Sequence, residues 1–252
     1  MEKVSILKQI SIGIITIAII AGVVYYKHIQ RKNREYALEY FNKTYAQDFY
    51  RQSEKCDEKI NWGSIDICLP SFEGMKEVMT DTWGKYLGTR NNTPENTTIA
   101  LYIPENQEPA ILAKKDLLND YVKIFSFDYF KDEPVSFKDI YEVYKETPLD
   151  YFDNKQETIK NYLRDELGIY SLMEAKLIGK FLTKDKAVTF IQFSIYSTDS
   201  GNVAGFTFNS FVPIKNRLIY FMYFNLFQNE ESISIYREKH EERLNLFLLL
   251  NE

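Results

Sequence analysis

An uncharged apolar run near the N-terminus constrains this chain more than any other feature of its sequence. The run extends from Ile10 to Tyr26, and its 17 residues carry no charge. This length is at the short end of what crosses a bilayer as a helix. Tyr25 and Tyr26 lie at its end, where aromatic residues typically mark a membrane interface. The run therefore predicts a single-pass transmembrane anchor over residues 10–26.

Two other interpretations of this run stay open. A secretory signal peptide normally has a shorter apolar core and small residues at its cleavage site. This run instead ends in Val-Val-Tyr-Tyr-Lys-His, which is a poor cleavage site. A buried helix of a soluble protein normally carries a polar face, which the run does not show. An uncleaved anchor is the interpretation that fits the sequence best.

The two cysteines bear on the compartment of the rest of the chain. Cys56 and Cys68 are the only cysteines, and two cysteines alone fit no zinc site, because such sites need four ligands. A disulfide between them is the one intrachain pairing on offer, and the alternative is two unrelated buried thiols. We expect the disulfide. Because disulfides persist in oxidising compartments, this expectation places the domain outside the cytoplasm, in the periplasm.

The charges that flank the apolar run point to the opposite orientation. Two lysines precede the run, and four basic residues follow it closely: Lys27, Arg31, Lys32 and Arg34. Under the positive-inside rule, this imbalance keeps the large domain in the cytoplasm. We give the cysteines more weight because the imbalance is small, and we keep a cytoplasm-facing domain as the alternative.

These features divide the chain into four segments. Residues 1–9 form a short basic segment, and residues 10–26 form the anchor. Aromatic residues at helical spacing predict a helical stalk over residues 27–55. Residues 56–252 then form one α+β domain, for which 45% hydrophobic and 15% aromatic residues supply a sizeable core.

The second half of that domain has the periodicity of β-strands. In Val188–Tyr196, apolar residues alternate with Gln192 and Ser194, which predicts a strand with one face in water. The sequence Asp-Ser-Gly-Asn at 199–202 predicts a hairpin. The run Leu218–Phe227 is apolar on both faces, which predicts a central strand covered on both sides.

Helical patterns precede and follow these strands. Ser136 and Asp139 are a cap and its partner at the start of a helix that ends before Thr147. A second helix is predicted from residue 153 or 154 to 167, and a third is predicted after Asn229. Helices packed against an antiparallel sheet of hairpins make an α+β fold, either two-layered or a sandwich. The predicted fold class adds one N-terminal transmembrane helix to it.

The order of these elements resembles the PsbP/DcrB-like α/β sandwich family. The resemblance is carried by the strand AVTFIQFSIY, the hairpin after it, the strand NRLIYFMYFNLF and the final helix with its acidic start. It covers residues 60–252 and rests on element order. It implies a non-enzymatic accessory or binding role, including roles in membrane-linked proteins of the bacterial envelope, and it carries over no site residue.

The sequence shows no motif of a catalytic, cofactor-binding or metal site. It has no glycine-rich phosphate loop and no nucleophile elbow. A Ser-His-Asp triad has only His240 to use, because His28 adjoins the membrane segment, and His240 falls on the apolar stripe of the last helix. A net charge of −5 gives no basic face for nucleic acid. We predict no catalytic residue, cofactor, metal or nucleic-acid partner.

Acidic pairs and aromatic residues leave further possibilities. The acidic pairs are typical of solvated charge, because glycoside hydrolysis needs two acids at a set separation in a cleft; they are Asp132-Glu133, Asp165-Glu166 and Glu230-Glu231. The aromatic residues either form an exposed binding face or pack in the core or its rim, which their density favours; they are Tyr102, Tyr129 and Phe130.

The expected function is that of a non-enzymatic binding or accessory protein of the bacterial cell envelope. It is anchored in the membrane, its large domain is periplasmic, and a protein partner is possible. The alternative is a hydrolase-type enzyme whose carboxylate site matches no known motif, or an anchored domain that faces the cytoplasm.

Overall fold

The computed structural model describes residues 56, 58–89, 96–107, 119–151, 172–198, 201–229 and 231–252. The predicted anchor from Ile10 to Tyr26 lies outside the described residues, as do the stalk at 27–55 and the helix predicted up to residue 167. Within the described part, no helix combines the length and the apolarity needed to cross a membrane.

Strands occupy about half of the described residues and helices about a quarter. The strands are Glu58–Trp62 (β1), Ile65–Leu69 (β2), Met75–Glu77 (β3), Asn96–Pro104 (β4), Tyr121–Phe127 (β5), Leu172–Thr183 (β6), Ala187–Thr198 (β7), Gly201–Ile214 (β8) and Arg217–Leu226 (β9). The α-helices are Thr82–Thr89 (α1), Phe137–Glu146 (α2) and Ser232–Leu250 (α3). Short 3-10 turns lie at Glu105–Gln107 and Asp128–Phe130.

Seven strands form one antiparallel sheet in the order β3-β4-β5-β9-β8-β7-β6. The sheet consists of two sets of consecutive strands, β3 to β5 and β6 to β9. The two sets join where β5 pairs with β9, and at this junction Lys123 lies opposite Met222. Strands β1 and β2 form a separate hairpin. β9 is the middle strand of the sheet, and its burial on both faces confirms the prediction of a central, covered strand.

The predicted fold class was wrong. We expected a two-layered or sandwich α+β fold with a transmembrane helix, whereas one large antiparallel sheet dominates a sheet-rich α+β fold. β6, β7 and β8 contain 12, 12 and 14 residues, and β7 extends beyond the predicted Val188–Tyr196 at both ends. Their length arises because the strand pairing continues through polar positions. Elements cover the sheet on both faces, so the sheet is the middle of three layers.

Each face of the sheet carries its own hydrophobic core. Helix α2 packs over one face, where Phe190, Phe211 and Tyr220 are buried. Helix α3 and the β1–β2 hairpin cover the other face, where the rings of Phe221 and Phe247 are 5.6 Å apart. Tyr220 and Phe221 serve opposite cores because successive side chains of a strand alternate between faces. A central strand between two cores therefore has to be apolar throughout.

Helix α2 begins where its cap residues predict. The Asp139 carboxylate accepts hydrogen bonds from the backbone N–H and the hydroxyl of Ser136, at 2.9 and 2.7 Å. This capping box satisfies groups of the first turn that have no partner inside the helix. At the other end, the Thr147 hydroxyl donates to the carbonyl oxygen of Val143 at 2.9 Å. Both ends of the helix are thus fixed by local contacts.

The predicted disulfide is confirmed: Cys56 and Cys68 are bonded, with their Cα atoms 5.7 Å apart. The residue that follows α3 binds the same strand. The backbone N–H of Cys68 donates to Oδ1 of Asn251 at 2.7 Å, and Nδ2 of Asn251 donates to the Cys68 carbonyl oxygen at 2.8 Å. These two buried bonds join the hairpin to the C-terminal end of α3.

Three local predictions were wrong. The sequence over Glu77–Trp83 favours a strand, but the strand ends at Glu77 and the chain then turns and enters α1 at Thr82. Gln192 and Ser194 do not face water, since both are fully buried. The apolar run Leu246–Leu250 predicts a buried C-terminus, whereas Leu246 and Leu249 are 36% and 57% exposed. The last result follows from helix geometry, which turns only one stripe of α3 toward the sheet.

Candidate functional site

A polar groove of about 630 Å³ lies where β4 ends, β5 begins and β9 leads into α3. We call it the end groove. Its walls include Glu105–Gln107, Asn119, Asp120, Asn225, Gln228, Asn229, Glu231, Ser232, Tyr236 and Lys239. Its volume is in the range of small-molecule sites. A smaller hollow of about 280 Å³, beside the C-terminal end of α3, is lined mainly by leucines and surface lysines.

Asn119 fixes the position of three segments around the end groove. Its Oδ1 accepts hydrogen bonds from the backbone N–H groups of Asp120 and Leu226, at 2.9 and 2.8 Å. Its own backbone N–H donates to Oε1 of Gln107 at 3.2 Å. Asp120 has a φ of +51°, a left-handed conformation that Asp and Asn adopt more readily than most residues. One asparagine thereby connects the end of β4, the start of β5 and the end of β9.

The floor of the end groove holds a carboxylate whose charge is compensated. Oδ1 of Asp120 is 2.9 Å from Nη1 of Arg243, and its Oδ2 is 3.8 Å from Nζ of Lys239. The Arg243 guanidinium lies 4.9 Å from the centre of the Tyr223 ring. Burial raises the pKa of the Tyr223 phenol, and the charge of Asp120 raises it further. The Tyr223 hydroxyl is therefore a neutral donor next to the carboxylate.

Asn225 brings an unused acceptor to this floor. It is 3% exposed, and its Nδ2 donates to the Tyr223 hydroxyl at 2.8 Å. Because Tyr223 directs its proton toward Asp120, its oxygen has to accept from Asn225, which fixes the orientation of the amide. Asn225 lines the groove, and no described residue donates a hydrogen bond to its Oδ1.

Three further carboxamides are oriented by the backbone. The oxygens of Asn119 and Gln107 accept the backbone N–H groups given above, and Oδ1 of Asn229 accepts the N–H of Ser232 at 2.9 Å. Since each oxygen is engaged, the amide nitrogen is the group left free in each of these three residues, all of which line the groove. None of the three nitrogens donates to an acceptor in the described ranges. The groove therefore offers three fixed donors and one fixed acceptor.

His240 lies in the core and not in the groove, as its place on the apolar stripe predicts. Its Nε2 is 2.8 Å from Oγ of Ser210, which is 2.7 Å from Oγ1 of Thr189. The imidazole is fully buried and stacks on Phe208 at 5.2 Å. Burial, with a smaller effect from the Arg243 charge, lowers the His240 pKa to about 3. No described residue pairs with Nδ1. A catalytic triad needs a carboxylate at Nδ1 and access for a substrate, and in the described part of the chain the Ser210–His240 pair has neither. We therefore assign the pair a structural role.

The α2 face of the sheet contains a buried polar row that sequence reasoning missed. Gln192, Ser194, Thr207 and Asn209 are each at most 2% exposed. Nε2 of Gln192 donates to Oγ of Ser194 at 2.7 Å. Burial lowers the pKa of Lys123, on the same face, to about 7. Polar residues at alternate strand positions are expected both on a solvent-exposed face and in a buried polar row. The sequence therefore held no signal that distinguishes these two cases.

The residues singled out from the sequence contribute little to the end groove. Tyr102 and Phe130 are buried and Tyr129 is half-buried, which confirms core and rim packing. Asp132 and Glu133 lie in the loop before α2, and Glu231 borders the groove. The pair at 165–166 and Glu230 lie outside the described residues. In the part of the chain that the structure covers, no group of three or more His, Cys, Asp or Glu residues is placed to hold a metal.

Comparisons with known proteins give no match: no protein-family model, no curated protein and no solved structure is similar to this chain. The resemblance to PsbP/DcrB-like sandwiches stays a prediction. The sequence signal that marks it is a set of Asn and Gln residues directly after or before strands, at 106–107, 119 and 225–229.

Proposed function

We propose that this protein is a non-enzymatic binding protein of the bacterial cell envelope. Residues 10–26 anchor it in the membrane, and its domain lies on the extracytoplasmic side. The observation that carries the binding role is the end groove, which has the volume of a ligand site and polar groups that are already oriented. Such preorganisation reduces the ordering cost of binding.

The arrangement of charges supports binding over catalysis. Asp120 faces Arg243 and Lys239, so its carboxylate is held as an ion-pair partner. His240 is neutral and buried in the α3 core, out of reach of a substrate. A general acid or base has to lie within hydrogen-bonding reach of the reacting group. These side chains instead position the walls and floor of the groove.

Two features support the extracytoplasmic position. The apolar run of 17 residues has the length of an anchor, and the Cys56–Cys68 disulfide suits an oxidising compartment. The full chain is expected to stay with membranes during carbonate extraction. It is also expected to show no free thiol when intact cells are treated with an alkylating reagent before lysis. Release by carbonate, or two alkylated thiols, contradicts this placement.

A pull-down after detergent extraction tests the binding role. Gln228 is exposed on the groove wall, so Gln228→Trp adds bulk at the wall and leaves the residues of the floor unchanged. Lys138 is exposed on α2, away from the groove, and Lys138→Trp is the matched control. A partner or ligand is expected to co-purify with the unmodified chain and with the Lys138 variant, and to be lost from the Gln228 variant. A protein that is always recovered alone argues against the proposal.

A further inference from the structure

We propose that the end groove binds a neutral, hydroxyl-rich ligand of the glycan class, an inference that rests on the binding role proposed above. The juxtaposition that carries it is one free acceptor on a nearly buried side chain, Oδ1 of Asn225, beside three oriented amide donors from Gln107, Asn119 and Asn229. Each of these four groups has its second polar atom bound to the protein. Their directions are therefore set before a ligand enters.

This donor and acceptor set fits hydroxyl groups. A hydroxyl donates one hydrogen bond and accepts others, so the vicinal hydroxyls of a sugar ring can satisfy Oδ1 of Asn225 and the amide nitrogens together. Asn225 is 3% exposed, and a ligand that fills the groove without donating to its oxygen leaves a buried acceptor unpaired. The site consequently favours ligands that carry both functions in one group.

The charges around the groove select against ionic ligands. A cation on the floor meets Arg243 and Lys239 beside Asp120. A fully deprotonated anion such as a carboxylate can accept from the amide nitrogens but cannot donate to Asn225, and every anion, phosphate included, meets the exposed carboxylates of Glu105 and Glu231 at the rim. A neutral ligand avoids both penalties. Tyr236 supplies an aromatic wall, and its own hydroxyl is used up in donating to the carbonyl oxygen of Leu226 at 3.0 Å.

Direct titration of the full chain in mild detergent tests this proposal. The probes are neutral hexasaccharides of different linkage and substitution, namely chitohexaose, cellohexaose, maltohexaose and isomaltohexaose. Oligolysine and inorganic phosphate are the ionic probes. At least one hexasaccharide is expected to bind, measured by calorimetry and by ligand-observed NMR. Gln228→Trp is expected to abolish binding, and Lys138→Trp is expected to leave it unchanged.

Two substitutions inside the groove test the chemistry. Asn225→Leu removes this acceptor and is expected to weaken hexasaccharide binding at least about tenfold. Asn229→Asp keeps the oxygen that accepts from Ser232 and replaces the amide donor by an acceptor. Because a hydroxyl can reverse its hydrogen bond, Asn229→Asp is expected to change hexasaccharide affinity by less than about fivefold. Asn216→Asp, in the β8–β9 turn, carries the same charge change away from the groove.

The outcomes separate this inference from the broader proposal. The glycan class is overturned if no hexasaccharide binds. It is also overturned if oligolysine binds and Asn229→Asp strengthens that binding, or if phosphate binds and Asn229→Asp abolishes that binding. If the pull-down partner is still lost from Gln228→Trp, the binding role stands although the ligand class fails. If neither hexasaccharides nor any partner bind, both proposals fail. An Asn225→Leu chain that does not fold leaves the Gln228 and Asn229 variants to decide.

Discussion

The buried imidazole of His240 makes the domain sensitive to acid between pH 7 and pH 5. Its pKa is about 3 in the folded protein, against an ordinary value of 6.5. Well above pH 6.5 neither state is protonated, and the histidine costs the fold nothing. As the pH falls below 6.5, the unfolded chain gains a proton that the folded protein does not accept, so stability falls by up to about 1.4 kcal/mol per pH unit. Between pH 7 and pH 5 this amounts to about 2 kcal/mol.

The variant His240→Phe isolates this contribution. Phenylalanine keeps a ring against Phe208, and Ser210 keeps its hydrogen bond to Thr189. Two groups that face His240 are the same in both proteins. They are the guanidinium of Arg243, which lies on the same helix, and the phenol of Tyr223 from β9. The carboxylates are also the same in the two proteins, so their contribution cancels when the two free energies of unfolding are subtracted.

The assay is urea denaturation of the full chain, followed by tryptophan fluorescence at pH 7, 6 and 5. The unmodified chain is expected to lose about 2 kcal/mol more than His240→Phe across this range, whatever the absolute stability of the variant. If the two free energies of unfolding fall in parallel with pH, the histidine is protonated in the fold or accessible to water, and the reasoning is refuted.

Three further predictions concern stability. Asn251→Ala removes three buried hydrogen bonds, two to Cys68 and one to the carbonyl oxygen of Phe247, and is expected to cost about 3 kcal/mol in chemical denaturation. A Cβ on Gly84 would lie 1.7 Å from the Val78 carbonyl oxygen, so Gly84→Ala is expected to lower the free energy of unfolding by more than about 2 kcal/mol, and an unchanged midpoint contradicts this contact. Reduction of the disulfide, which spans 12 positions, is expected to cost about 3 kcal/mol, seen as a lower thermal midpoint in dithiothreitol than in its absence.

Some local elements of this fold follow from short-range rules, and the sequence predicted these. The capping box of Ser136 and Asp139 involves residues three positions apart, so its geometry needs nothing from the rest of the chain. The strands β7, β8 and β9 alternate with turns in the order expected of hairpins. The disulfide followed from there being two cysteines.

The end groove was beyond sequence reasoning because its parts come from distant segments. Gln107, Asn119 and Asn225 meet only because β5 pairs with β9, a contact between two sets of strands that the sequence does not specify. Their amides look like ordinary loop residues in the sequence. The hydrogen bonds that leave one atom of each amide for a ligand appear only after the strands are placed.

The sequence by itself determined the apolar N-terminal run, the cysteine pair, the cap of α2 and the doubly apolar β9, because each depends on neighbouring residues or on composition along one element. Tertiary structure alone decided that a single sheet dominates, that Gln192 and Ser194 are buried, and that the amides converge in a groove. The physical reason is that burial depends on what covers a face. A period of two residues fixes which side chains share a face, but it does not tell whether water or another layer lies against it.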